Sequence, residues 1–137
     1  PYVAGLERVA TDVAQAYGLG AAERLEGSGR LKGIRALGNL GGATPWVLCY
    51  QSKGSRPGEW LEPALDDVID AAASAGFGSI VAVPIGFVTD HMETRYDLDV
   101  EAAEKVLDLG MEWARSEVPN ATTNIVDVMA AVIRPLL

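Results

Sequence analysis

An α/β fold built on a parallel sheet is predicted by three features of this 137-residue chain. Two short runs, Trp46-Val47-Leu48-Cys49-Tyr50 and Ser79-Ile80-Val81-Ala82-Val83, have the length and apolar content of buried strands. Helical patterns of about twelve or more residues alternate with the strand candidates, which calls for βα units with right-handed crossovers. Glycines and prolines fall between the segments, where turns and helix ends belong.

In chain order, residues 2–17 place Val3, Leu6, Val9, Ala10, Val13, Ala14 and Tyr17 on a helical stripe, which Gly18 and Gly20 end. Residues 18–44 are rich in glycine, weakly periodic and scattered with Arg, Lys and Glu. They read as a long loop with a helical piece around Ala21–Leu25, and lack the G-x-x-x-x-G-K-[ST] spacing of a phosphate loop. Trp46–Tyr50 is the first strand, and Gln51–Gly58 a turn-rich loop behind it. Pro63 suits the first turn of a helix through Ala75, with Leu65, Val68, Ile69 and Ala72 as its stripe and Gly76 as its stop. Strand Ile80–Val83 follows, then an acidic helix from about Asp90 to Leu109, closed by Gly110. Met111–Arg115 reads as a third strand. Asn120-Ala121-Thr122 begins a last helix with apolar positions Ile125, Val126, Val128, Met129, Val132 and Ile133. Three strands make a small sheet, and the chain opens on a helix, so either the sheet is minimal or a first strand belongs to a segment this chain lacks.

The length suits one domain with a core of its own. A net charge of −8 argues against a nucleic-acid surface, which needs clustered Lys and Arg. The single cysteine, Cys49, excludes an internal disulfide and a cysteine-built zinc or iron–sulfur site, and reads as a small buried hydrophobe. No run is long and apolar enough for a transmembrane segment, and the start has neither a basic region nor an apolar signal core. The expected compartment is the cytoplasm.

The chemistry concentrates after the strand at Ile80–Val83. From Asp90 to Glu101 the chain carries five acidic residues and its only histidine, His91. A strand leading through a Pro/Gly loop into this helix delivers the first turn to the carboxyl end of a sheet, where open parallel sheets bind ligands. Glu93, Asp97 and Glu101 recur at i, i+4 and i+8, on one helical face. Thr89 or Asp90 can cap the helix, and acidic residues suit its positive end. Carboxylates and an imidazole suit a divalent cation or a proton, and a phosphate poorly. Taken alone, the same residues also describe a solvated acidic helix with one incidental histidine.

Three separated segments resemble the ferrochelatase family. Tyr50-Gln51-Ser52-Lys53, with Gly54 beside it, resembles the Y/W-Q-S-R/K-x-G segment. Trp60-Leu61-Glu62-Pro63 resembles W-L-x-P. Pro84-Ile85-Gly86-Phe87-Val88-Thr89-Asp90-His91-Met92-Glu93-Thr94 resembles P-I-G-F-x-S-D-H-x-E-T/V, and continues as Tyr96-Asp97-Leu98-Asp99. The ending, with Arg115, Pro119-Asn120 and a last helix, is similar too. The wording of the second and third segments looks most like the actinobacterial branch, whose members act on coproporphyrin III.

The resemblance implies the Rossmann-like parallel sheet of the chelatase superfamily, with residues 1–137 as its C-terminal half-domain. It implies insertion of ferrous iron into a porphyrin, coproporphyrin III or protoporphyrin IX, in haem biosynthesis. Glu93 matches the glutamate that faces the porphyrin centre and handles metal and pyrrole protons. Asp97 and Glu101 match further acids on that helix, a route for metal or protons. Asp90 and His91 match the D-H pair, and Trp60 an aromatic lining the cleft. The implied site is therefore Glu93, Asp97 and His91 for catalysis, Glu93 with Asp97 and Glu101 for metal, and Trp60 for porphyrin. Iron enters as substrate, no permanently bound cofactor is implied, and Cys49 alone cannot supply the iron–sulfur cluster some members hold.

The chemistry agrees with these residue types. Two pyrrole protons leave as the metal enters, so a base is needed near the ring. A carboxylate among carboxylates has a raised pKa, which makes Glu93 the expected acceptor. Oxygen and imidazole ligands also hold divalent iron weakly enough to pass it on.

Two departures from the family pattern stand out. Its catalytic histidine lies in an S-x-H-S-x-P or T-x-H-x-x-P segment that this chain lacks, and His91 occupies a different motif position. Arg95 stands where the family usually has an apolar residue. The expectation is a chain that supplies the acidic side of a site and needs an N-terminal half as partner, inactive alone. The alternative is a non-catalytic metal- or tetrapyrrole-binding module. Cobalt and sirohydrochlorin chelatases rely on paired histidines, and only His91 is present. Trp46, Tyr50 and Met residues 92, 111 and 129 are expected to pack, and Lys53 to lie at the surface.

Overall fold

The structure is a computed structural model that describes residues 1–19, 44–51, 58 and 60–136. The expected loop at 18–44, its helical piece, and Ser52, Lys53 and Gly54 fall largely or wholly outside these residues. Helix α1 (Tyr2–Ala16) is followed by α2 (Leu65–Ser74), strand β1 (Ser79–Ala82) and a π-helical segment (Thr94–Ala102). The segment runs directly into α3 (Ala103–Asp108). Strand β2 (Glu112–Arg115), helix α4 (Thr123–Ile133) and a 3₁₀ turn (Arg134–Leu136) complete the order.

Strands β1 and β2 pair in parallel, with Ser79 opposite Glu112 and Ala82 opposite Arg115. The helical stretch between them is the crossover of a βαβ unit, so the fold is α/β as the sequence predicts. Ile69 and Val106 are fully buried, and with Ala102 and Met111 they join α2, the crossover and the sheet into one cluster. Leu65, Ile80 and Trp113 pack around it. A second cluster sets Val68 and Ala71 of α2 against Val47 and Cys49. Burial there pushes the Cys49 thiol up to about 11.

The expected strand at Trp46–Tyr50 is reduced to one parallel bridge, between Tyr50 and Ala64. The Tyr50 N–H donates to the Pro63 carbonyl and its own carbonyl accepts the Leu65 N–H, each at 2.9 Å. Its hydrogen bonds are thus given to the chain entering α2. An apolar run announces burial, but it does not name the partner of its backbone.

Both ends of the central helices follow from local sequence. Gly76 and Gly110 take positive φ, +82° and +76°, a conformation glycine adopts without Cβ strain. At the first, Phe77 and Gly76 N–H groups reach the Ala72 and Ala73 carbonyls; at the second, Met111 and Gly110 reach Val106 and Leu107. Each is a Schellman closure with an apolar residue returning onto the last turn. α2 begins at Leu65, two residues later than Pro63 suggests, and Asp66 and Asp67 complement its positive end.

Of the methionines expected to pack, Met111 is buried, whereas Met92 and Met129 are exposed. In α4 Ile125 is half-buried, whereas Val126, Val128, Met129, Val132 and Ile133 are all more than half exposed. Among the described residues no helix is long and apolar enough to cross a membrane.

Candidate functional site

The acidic helix starts on an unusual cap. His91 Nδ1 accepts the Glu93 backbone N–H at 3.3 Å, while the His91 N–H donates to Thr94 Oγ1 at 2.9 Å. This reciprocal pattern is a capping box with imidazole in place of the usual Ser, Asp or Asn. Accepting at Nδ1 puts the proton of the neutral ring on Nε2. Thr94 is fully buried and also donates to the His91 carbonyl at 2.9 Å. The imidazole edge packs on Phe87 with ring centroids 4.4 Å apart. His91 is thereby fixed at the mouth of the helix.

From Thr94 to Ala102 the helix is π-wound. Such i→i+5 turns are rare, occur mostly as single turns, and are frequent at functional sites. In an α-helix a four-residue step overshoots one full turn by roughly 40°. In the wider π turn the same step falls short of a full turn, so the two drifts offset each other along the element. Thr94, Leu98, Ala102 and then Val106 therefore form one buried line at four-residue spacing. Glu93, Asp97, Glu101 and Lys105 run beside it, each one position earlier. The expected α-helical face is thus present as a row, carried by a different winding.

That row borders an open groove of about 1230 Å³. Asp97, Glu101 and Lys105 line it from the helix, Asp66 and Asp67 from the start of α2, and Glu62, Trp60 and Gln51 from the preceding chain. Five acidic residues and one lysine in its lining give the groove a strongly negative field. Lys105 is already held by Asp70 at 3.0 Å and by Asp66 at 3.7 Å. Trp60 is 41% exposed, offering its ring to the groove.

The structure divides the residues singled out in the sequence. It brings Trp60, Asp97 and Glu101 onto one groove and leaves Glu93 and His91 at the helix mouth, outside the groove lining. Electrostatics reconnects them. The Asp97 carboxyl is held above its ordinary range by burial and then by negative Glu93, with His91 acting in the opposite direction. Among the described residues no three His, Cys, Asp or Glu side chains converge as a metal cage.

Asp90 and Asp99 turn instead to arginines. Arg115, at the end of β2, gives Asp99 two parallel hydrogen bonds, one from Nη2 at 2.9 Å and one from Nε. It also lies 3.5 Å from Asp90 Oδ1. Arg95 closes the ring, 3.0 Å from Asp90 Oδ2 and 3.9 Å from Asp99 Oδ2. Asn120 holds Asp90 from outside, accepting its backbone N–H at 2.9 Å and donating to its carboxylate at 3.2 Å. Arg95, the departure from the family pattern, thus has a partner on each side. Sequence reasoning gave Asp99, Arg115 and Asn120 no role. The signal that could have found them was their place in segments resembling the family, Asp99 after the third motif and Arg115 and Asn120 in the ending.

The protein-family model described as Ferrochelatase matches residues 1–136. The chain is similar to the Coproporphyrin III ferrochelatase of Streptomyces coelicolor, 44% identical over 94 residues, which are 68% of this chain and 24% of that protein. It is 37% identical over 93 residues to the Coproporphyrin III ferrochelatase of Bacillus subtilis, covering 67% of this chain and 30% of that one. It is also 39% identical over 89 residues to the Ferrochelatase of Citrifermentans bemidjiense, 64% of this chain and 28% of the relative. The matched stretch spans about a quarter to a third of these relatives' length. With a family match across almost the whole chain and these relatives beside it, this chain belongs to the ferrochelatase family.

Proposed function

We propose that this chain provides the acidic wall at which ferrous iron is inserted into coproporphyrin III, in the cytoplasm, as part of a longer enzyme. The observation that carries the reading is the shared groove of Trp60, Asp97 and Glu101, with Asp97 electrostatically coupled to Glu93. The names of the Streptomyces and Bacillus relatives support coproporphyrin III as the porphyrin.

The roles follow from charge balance. A divalent ion entering the ring displaces two pyrrole protons, and those protons need acceptors beside the macrocycle. Glu93, at the helix mouth, is the assigned first acceptor, and Asp97 the second. A carboxyl held above its ordinary range keeps a taken proton at higher pH than a free aspartate does. Glu101 continues the row along the groove, a series of oxygen donors that hold divalent iron weakly enough to pass it on. Trp60 offers an aromatic face to a flat ring. The negative field of the groove raises the local concentration of cations. His91 orders the first turn, so that Glu93 starts from a fixed backbone.

The chain holds one histidine, and that one is committed to the helix cap. Residues 1–137 alone are therefore expected to insert Fe(II) or Zn(II) into coproporphyrin or protoporphyrin negligibly in an absorbance assay. Turnover comparable to a full-length ferrochelatase would refute this division of labour. In the full-length protein carrying this sequence, Glu93→Gln is expected to lower kcat by about 10²- to 10⁴-fold, the usual worth of a positioned general base. Full activity would remove Glu93 from that role.

A further inference from the structure

The geometry points to Arg115 as a positioning residue of this site: its grip on Asp99 sets the rotation of the π-wound segment that carries Asp97 and Glu101 to the groove. The inference deepens the proposed function and rests on it.

Arg115 is the last residue of β2 and shares that strand's half-buried face with Trp113. Its side chain is only 10% exposed although it is fully charged. A strand paired along its whole length is a firm mount, and the mount points at the crossover helix. Asp99 lies two residues after Asp97 and two before Glu101, on the side of the helix away from the groove. Fixing Asp99 therefore fixes the angle at which both its neighbours project.

The contact is made for orientation. Two parallel N–H···O bonds from one guanidinium define a plane as well as a distance, which a lysine ammonium cannot do. The same guanidinium reaches Asp90, and Asn120 ties Asp90 to the chain after β2. The helix is thus held from its mouth and from its middle by groups around one strand end. The ring has a second effect. Two arginines neutralise Asp90 and Asp99, which leaves Glu93, Asp97 and Glu101 as the uncompensated acids between His91 and Ala102. A π-wound stretch makes this control necessary, because rewinding to α would shift every later side chain around the axis.

The test uses the full-length protein carrying this sequence, with Arg115→Lys, Asp99→Asn and the two combined. Each single variant is expected to lower kcat for iron insertion by about 10²-fold, the scale of a roughly 1 Å misplacement of reacting groups. KM for the porphyrin should stay within about twofold, because the pair touches neither substrate. The combined variant should be no worse than the poorer single one, since both remove one contact. Hydrogen exchange at amides 94–102 should accelerate in both, while the β1 and β2 amides keep their protection. If one single variant fails to fold, the other decides. Unfolding of both would make the pair a stability element only and overturn the proposal. So would kcat within about twofold of the parent, a loss carried by KM, or additive losses. If the unsubstituted protein does not metallate porphyrin, the proposed function fails, and the exchange data alone decide whether Arg115 orders the segment.

Discussion

Asp97 and Asp99 sit two residues apart on the same helix, and their surroundings push them in opposite directions. Burial and Glu93 raise the Asp97 carboxyl, whereas the Arg115 hydrogen bonds lower that of Asp99. The consequences for stability have opposite signs. For Asp97 the folded form binds its proton more tightly than the unfolded chain. Stability therefore falls as pH rises from the ordinary carboxylate range, near 3.8, through the raised value, and stays reduced above it. Asp97→Asn should then melt at a higher temperature than the parent at pH 7. The advantage should vanish when both are melted below the ordinary aspartate range, and iron insertion should be impaired throughout. Equal melting temperatures at pH 7 would show that Asp97 pays no such penalty. For Asp99 the stabilisation is complete above the ordinary carboxylate range and is lost as pH falls through its lowered value. Asp99→Asn should therefore be less stable than the parent at pH 7 and converge with it under acid conditions. The row of Glu93, Asp97 and Glu101 was legible because it repeats every four residues. The sorting of these acids was not, since Arg115 lies sixteen residues from Asp99 and reaches it only through the sheet.

At the level of elements, the boundaries were written most clearly where glycine was obligatory. Gly76 and Gly110 closed their helices where the sequence placed them, and α4 opened at Thr123, directly after the Asn120-Ala121-Thr122 stretch expected to begin it. The winding of the acidic helix was not legible. Hydrophobic spacing reports which residues are buried, and Thr94, Leu98, Ala102 and Val106 satisfy it in a π turn followed by an α turn. The histidine cap escaped for a related reason, because imidazole is not among the residues expected at that position. The expected strand at Trp46–Tyr50, reduced to one bridge, shows the other limit, a backbone whose partner is decided by tertiary context. The packing of α2 against the crossover has a direct test. Ile69 is fully buried between α2, Ala102, Val106 and Met111, so Ile69→Ala should cost about 2–5 kcal/mol in a denaturant titration. A loss below about 1 kcal/mol would mean that the site can collapse around the deletion.

Among the described residues, the groove gathers five acids, while apolar side chains are left uncovered on β1 and α4. Val81 is 68% exposed on β1, and the α4 residues Val126, Val128, Met129, Val132 and Ile133 form a second uncovered apolar set. Exposed apolar patches of this kind drive association, while a net charge of −8 opposes it at low ionic strength. Residues 1–137 produced alone should therefore associate with rising concentration. Added salt should strengthen that association by screening the repulsion, and Val81→Lys with Val132→Lys should weaken it in light scattering. A scattering signal independent of salt and of both substitutions would contradict this. The cellular consequence concerns timing. A polypeptide with such surfaces becomes a chaperone client from the moment it leaves the ribosome, and its abundance follows how quickly those surfaces are covered.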